Sequence, residues 1–265
     1  MGLLKIRLLG TGPSQGVPSL GGPGGEGDWG ACDPAEPRNR RTRSAALIEA
    51  GDGTRLLVDT GPDLRTQLLA ARCDRLDAVL WTHTHADHIV GLDDLRILNR
   101  LMRRALPCYG TEATLAELRQ RFDYVFREPT PGFYRPALTA HRVAPGETLR
   151  LGALEALLLD QDHQVMRSLG LRVGGFAYTT DVVRFPEESL AALEGLEVWV
   201  VACFQPGPHP IHADLAQIIA WQERLRPRRM ILTHMSSSMD FGALRRSLPA
   251  GIEPGFDGME IRLDG

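Results

Sequence analysis

A chain of 265 residues can bury a sizeable apolar core, as one large fold or two small ones. Its 43% hydrophobic and 24% charged residues are those of an ordinary soluble globular protein, which excludes a disordered or fibrous chain. With 30 basic and 33 acidic side chains the net charge is -3, so no global positive field gathers nucleic acid or anionic lipid.

Cys32, Cys73, Cys108 and Cys203 are scattered, with no Cys-x-x-Cys pair. They read as reduced thiols rather than a disulfide framework or a zinc knuckle. The first residues are broken by Lys5 and Arg7, too charged for the apolar segment of a leader. No apolar run approaches the length that spans a bilayer. The expected location is the cytoplasm.

Residues 3–9 alternate after Leu4 and predict a first strand. It runs into Gly10-Thr11-Gly12-Pro13-Ser14-Gln15-Gly16-Val17-Pro18, a turn-rich loop whose glycines permit close backbone approach. Ser14, Gln15 and Gly16 are the candidates there to face an anionic substrate. The glycine-rich stretch 21–27 reads as a surface loop. Arg38, Arg40, Arg41 and Arg43 cluster next; guanidinium forks match phosphate oxygens, but an internally paired or solvated patch is the expectation.

Residues 44–49 and 55–58 predict a hairpin around Gly51-Asp52-Gly53. The second strand ends in Asp59-Thr60-Gly61-Pro62, and a helix follows near residues 63–71. Residues 78–81 form a short apolar strand that delivers Thr82-His83-Thr84-His85-Ala86-Asp87-His88 at its end. In an extended segment residues i and i+2 point the same way, so His83 and His85 can reach one ion together. Asp87 and His88 follow where the chain turns, and can face a second ion. Imidazole and carboxylate are the ligand set of zinc and similar divalent ions.

From Ile89 the spacing of Leu92, Leu95, Ile97 and Leu98 predicts a helix. Residues 104–140 read as irregular and hold six of the twelve Phe and Tyr side chains: Tyr109, Phe122, Tyr124, Phe126, Phe133 and Tyr134. That suits a lid or a dimer contact, with ordinary packing the expectation. In the second half, apolar runs lead in turn to His163, to Asp181, to a loop with His209 and His212, and to His234. A helix over 213–226 is stopped by Pro227. The strand and helix alternation predicts an α/β fold over one domain, residues 1–265, with no visible internal repeat. His83, His85, His163, Asp181 and His234 each follow a short apolar strand, where ligands of α/β folds gather. They can therefore converge.

The pattern His-x-His-x-Asp-His at His83 to His88 resembles the signature of the metallo-β-lactamase superfamily. The loop from Gly10 to Pro18, Asp59-Thr60-Gly61-Pro62-Asp63, Gly91-Leu92-Asp93-Asp94-Leu95-Arg96 and Tyr178-Thr179-Thr180-Asp181 resemble its phosphodiesterase group, which acts on cyclic phosphates of the phosphonate pathway. The resemblance covers nearly the whole chain. It implies an αββα four-layer sandwich and two divalent ions, zinc or manganese, with His83, His85 and His163 on one, Asp87, His88 and His234 on the other, and Asp181 bridging. Lactamases of the superfamily commonly carry cysteine where Asp181 stands; aspartate makes a harder, oxygen-rich site suited to phosphate esters. Some members bind a structural zinc through several cysteines after the Gly-rich segment, where this chain has only Cys32. Gln164 follows His163 where the group often has glycine.

The resemblance implies a hydrolase acting on a small (cyclic) phosphodiester through a hydroxide held between two ions, with Asp87 and His212 as the catalytic side chains. His212 is placed at the N-terminus of the helix that begins near Ala213, where free amides favour phosphate. No nucleic-acid complex and no membrane are expected, and a homodimer is the candidate assembly. The rival readings are a glyoxalase-type thioesterase or an RNA-processing nuclease of the same superfamily, and a metal-containing protein that binds a ligand without turnover.

Overall fold

The computed structural model describes residues 2–127 and 138–264. In the first half the elements are β1 (Leu4–Gly10), β2 (Ala45–Ala50), β3 (Arg55–Val58), α1 (Leu64–Ala70), β4 (Ala78–Leu80), α2 (Ala86–Ile89), α3 (Leu95–Met102), β5 (Leu106–Gly110), α4 (Glu112–Arg121), α5 (Asp123–Phe126) and β6 (Leu138–Arg142). The second half holds β7 (Thr148–Leu151), β8 (Leu154–Asp162), β9 (Arg167–Val173), β10 (Phe176–Thr179), α6 (Glu187–Ala191), β11 (Val198–Ala202), α7 (Leu215–Leu225), β12 (Arg229–Thr233), α8 (Phe241–Ser247), β13 (Ile252–Pro254) and β14 (Glu260–Leu263).

These strands build two seven-stranded sheets, ordered β14-β1-β2-β3-β4-β5-β6 and β13-β12-β11-β10-β9-β8-β7. In the first, β14 to β3 pair antiparallel and β3 to β6 parallel. The second repeats this plan, antiparallel from β7 to β10 and parallel from β10 to β13. The sequence shows no repeat, yet the two halves share one topology.

Side-chain alternation explains the layering. On β2, Ala46 and Ile48 turn into the core between the sheets with Ile6 and Leu8 of β1 and Leu158, Leu171 and Val200 of the facing sheet. The alternate residues Ala45 and Leu47 turn outward, under Leu64, Leu68 and Leu95 of the first sheet's helices. Likewise Ala177, Trp199 and Val201 pack outward beneath Ile218, Leu225 and Leu244. Strands covered on both faces read as unbroken apolar runs, which is why they stand out in the sequence. The result is helix, sheet, sheet, helix, the four-layer sandwich of the metallo-β-lactamase type.

Two expectations are corrected. Residues 104–140 are not irregular: β5, α4, α5 and β6 occupy most of the described part. Pro107 disguises the alternation of β5, and α4 buries only Thr114, Leu115 and Leu118, too thin a stripe to stand out. Phe122, Tyr124 and Phe126 pack against the helix-side core, while Phe133 and Tyr134 lie outside the described residues. The helix expected from Ile89 is broken: α2 ends at Ile89 and α3 begins at Leu95, because Gly91 packs on Gly61, where a Cβ would meet the Gly61 carbonyl oxygen at 2.0 Å.

The loop after β1 is fixed from the far end of the chain. Asp257 accepts from Thr11 N and Oγ1, both at 2.8 Å, and from Thr42 N and Oγ1 at 2.7 and 2.6 Å. Four donors on one carboxylate tie the loop bearing Ser14 to the arginine segment. Asp257→Asn would turn an amide N–H₂ against two of those donors. The expected loss is about 2–4 kcal/mol of unfolding free energy, read by urea denaturation; an unchanged midpoint would show that the clamp carries no stability.

Candidate metal centre

The strand ends that point the same way place the polar residues together. His83 follows β4, His163 follows β8, Asp181 follows β10 and His234 follows β12. His85 is the N-cap of α2, whose single turn carries Asp87 and His88. The backbone is left-handed at Asp181 (φ 49°), His234 (φ 56°) and the nearby Asp59 (φ 64°). Such geometry costs a non-glycine residue about 1–2 kcal/mol, and here it turns each side chain inward within two residues of the strand end. A backbone bond of 2.9 Å from Leu169 N to Thr82 O closes the two sheets beside the site.

Three groups of ligand-type atoms result, each lying within 4.8 Å of one another: His83, His85, His163 and Asp181; Asp87, His88 and His234; Asp181, His212 and His234. Asp181 stands between the first two, with Oδ1 3.6 Å from His163 Nε2 and Oδ2 3.2 Å from His88 Nε2. All these residues are buried except His85, which is partly exposed.

The outer side of each ring explains the inner side. His88 Nδ1 is 2.7 Å from Asp59 Oδ2, and His163 Nδ1 is 2.7 Å from the Ile211 carbonyl oxygen. Thr82 Oγ1 donates to Asp59 Oδ2 at 2.8 Å, so the contact of 3.0 Å between Thr82 Oγ1 and His83 Nδ1 is donated by the imidazole. These partners fix the proton on Nδ1 and leave the lone pair of Nε2 facing inward in all three rings. His83 Nε2, His88 Nε2, His212 Nδ1 and both nitrogens of His234 are buried without a hydrogen-bond partner. Orphaned polar atoms normally cost stability. Inward lone pairs, carboxylates among them and hydrogen-bonded outer nitrogens together fit a pair of divalent cations.

The buried carboxylates favour positive charge beside them. Burial opposes charge at His88, but Asp181, Asp87 and Asp59 raise its pKa well above the usual histidine value. Burial alone would raise Asp181; His234 and His88 instead hold it well below the usual carboxylate range. Asp87 is likewise lowered, by His88 and His234, against its burial. Burial lowers His83, with the charge of His88 adding to it.

The other candidates separate. Ser14 lines a 290 Å³ cleft with His85, Asp87, Asp181, Ile211, His212 and His234. Gly16, in contrast, lines a different cavity among the arginines, and Gln15 is exposed in neither lining. His212 is buried, its ring stacked on Phe204 at 4.9 Å, with Nδ1 3.7 Å from Asp181 Oδ1. Of the helix amides expected beside it, the capping box of α7 takes up one: Asp214 accepts from Gln217 N at 2.9 Å, while Gln217 Oε1 accepts from Asp214 N at 3.1 Å. Cys32 is buried 3.8 Å from Arg41 Nη1, and no cluster of metal ligands includes it among the described residues. Gln164 has φ 69°, a conformation that suits glycine.

Sequence reasoning missed the outer layer. Asp59 carries the same signal as the inner residues, a polar side chain just past a strand end, but its partners His88 and Thr82 are set by the fold. Phe204 and the Ile211 carbonyl carried no signal. Asp59→Asn replaces the acceptor that orients His88 and Thr82; metal affinity should fall roughly 10–100-fold, measured by chelator competition. Equal affinity would remove Asp59 from the support of the site. Asp181→Ala should lose at least one ion per chain by elemental analysis; full occupancy would show that it bridges nothing.

A protein-family model described as a beta-lactamase superfamily domain matches residues 54–235. The crystal structure of a new diphosphatase from the PhnP family superposes with a TM-score of 0.89 at 32% identity, covering 99% of this chain and 98% of that one. Zinc-bound PqqB from Methylobacterium extorquens shares the fold at 19% identity, with a TM-score of 0.76 over 98% of this chain and all of its own (100%). An octanoyltransferase of Porphyromonas gingivalis is 33% identical over 98% of this chain, which corresponds to 52% of its own length. A ribonuclease Z of Bradyrhizobium is 31% identical over 51% of this chain and 44% of its length. The chain thus spans about half the length of the curated relatives it matches. Its fold, its His-x-His-x-Asp-His segment and these matches establish that it belongs to the metallo-β-lactamase superfamily.

Proposed function

We propose that the protein is a metal-dependent hydrolase of small phosphodiesters. The observation that carries this reading is the set of inward imidazole and carboxylate donors, with Asp181 between its two halves, opening onto the cleft that also holds His212 and Ser14. His83, His85 and His163 would hold one divalent cation, and Asp87, His88 and His234 the other, with Asp181 shared. A pair of such ions, zinc or manganese, supplies Lewis acidity toward phosphoryl oxygens and a nucleophile from water at neutral pH.

The chain's own residues supply the rest. Asp59, Thr82 and the Ile211 carbonyl hold three rings in the tautomer that presents Nε2. Phe204 fixes the plane of His212. Burial and the charge of His234 push His212 down to about 3, so its ring is neutral near pH 7 and still carries one N–H. That N–H would hydrogen-bond the phosphoryl group or the departing oxygen and stabilise charge as it builds there. Ser14, held through Arg43 Nε at 3.1 Å from its carbonyl oxygen, would border the substrate. Gln15 and Gly16 lie outside the cleft lining and are left out of the site.

Resemblance to the PhnP-family diphosphatase supports a phosphorus centre over a thioester and makes a phosphoanhydride the second substrate class to examine. The octanoyltransferase name belongs to a protein about twice as long and carries no acyl-transfer reading here. The site is buried and the net charge is -3, which favours a small substrate over a bound RNA.

Turnover of bis(p-nitrophenyl) phosphate by the metal-loaded protein, with S-lactoylglutathione unreacted, is the expected result. Thioester cleavage without diester cleavage would overturn the reading, and no turnover on a diester panel at full metal loading would favour a non-catalytic protein. His212→Ala should keep its metal and lose roughly 10²–10⁴-fold in kcat; unchanged kcat on a poorly activated diester would remove the residue from the chemistry.

A further inference from the structure

A second cavity, of 570 Å³, lies on the loop that carries Ser14, and none of its lining residues belongs to the histidine and aspartate cluster. Gly16, Arg38, Arg40, Arg41, Arg43 and Phe256 are among them. Four guanidinium groups around one cavity repel each other unless something offsets them. Two are offset within the protein: Arg38 meets Glu36 with two bonds of 2.7 Å, and Arg43 meets Asp63 at 3.2 Å. The other two are not.

Arg41 is only 2% exposed, and its donors go to the carbonyls of Ser236 and Met239 and to the side chains of Asn39 and Cys32. No carboxylate lies within ion-pair distance of it among the described residues. Arg40 is exposed, with its guanidinium 4.8 Å over the ring of Trp29, and its side chain makes no hydrogen bond or ion pair within the described residues. Asp257, the carboxylate in the wall, already accepts four bonds from Thr11 and Thr42. Arg40 is therefore the one guanidinium of the cavity whose N–H groups are all unengaged among the described residues.

We infer that this cavity is an anion site, separate from the metal centre, for a phosphate group carried on a small planar molecule of the nucleoside monophosphate kind. Trp29 covers one face of the Arg40 guanidinium, and Phe241, at 4.1 Å, covers that of Arg38. Stacking fixes the plane of each fork; the edge of Arg38 is taken by Glu36, while that of Arg40 is left for phosphate oxygens. Arg40 offers all five N–H groups, enough for a bidentate contact. Phe256, half-buried in the same wall, gives a flat ring an apolar surface. The site uses no metal ligand, so it stands or falls apart from the hydrolase reading.

The test titrates the metal-loaded full chain with inorganic phosphate and with adenosine 5′-monophosphate at constant ionic strength. Trp29 fluorescence is the readout, Trp29→Phe the blank, and calorimetry an independent measure of affinity. A saturable response to both ligands is expected, tighter for the nucleotide. Arg40→Ser should weaken both at least tenfold while its metal content and circular dichroism stay native, and Phe256→Ala should weaken only the nucleotide. Native affinity in Arg40→Ser would mean that phosphate enters only the metal cleft. A response matched by chloride would show simple screening. Either outcome overturns the proposal.

Discussion

Lone pairs of buried imidazoles facing one another, with carboxylates between them, are the constraint on which the rest of this molecule depends. Such atoms are expensive to bury without partners. In His83, His88 and His163 the outer nitrogens are satisfied by Thr82, Asp59 and the Ile211 carbonyl, so each of these rings is held in one tautomer and one orientation. The inner nitrogens of His83, His88 and His234 have no hydrogen-bond partner among the described residues, and their convergence is consistent with a dinuclear metal site. Stability is conceded locally for that geometry, in the left-handed backbone at Asp59, Asp181 and His234 as well as in the orphaned nitrogens.

The sandwich makes this concession sustainable. Two sheets share an unbroken apolar core, and each is covered by its own helices, so the strand ends are rigid platforms. Because the two halves follow one topology, parallel strands in both sheets end on the same side and deliver donors from opposite faces. Long-range ties then set the rim: Leu169 to Thr82 across the sheets, and Asp257 to the loop after β1. A side chain as distant in sequence as His234 thus comes within 3.6 Å of Asp87.

Much of this was legible in the sequence, for physical reasons. Doubly covered strands read as apolar runs, and a polar residue just past such a run is placed at a sheet edge; that logic located His163, Asp181 and His234. It also applied to Asp59, whose part was obscured because its partners, His88 and Thr82, are chosen by the fold. The segment over 104–140 failed for the opposite reason: Pro107 and the thin apolar stripe of α4 carry weak periodicity although both elements form. At the start of α7, near His212, a capping box takes up Gln217 N, a competition between side chain and ligand that spacing alone does not display. The arginine cluster read as internally paired or solvated: Arg38 and Arg43 are paired, and Arg40 is exposed without a carboxylate.

Metal stoichiometry tests the central claim most directly. Elemental analysis of the purified native chain, after dialysis against buffer free of chelator, should find two divalent ions per chain. Less than one ion per chain after loading with zinc or manganese would contradict the account, because the inward nitrogens of His83, His88 and His234 would then be buried for no cation at all.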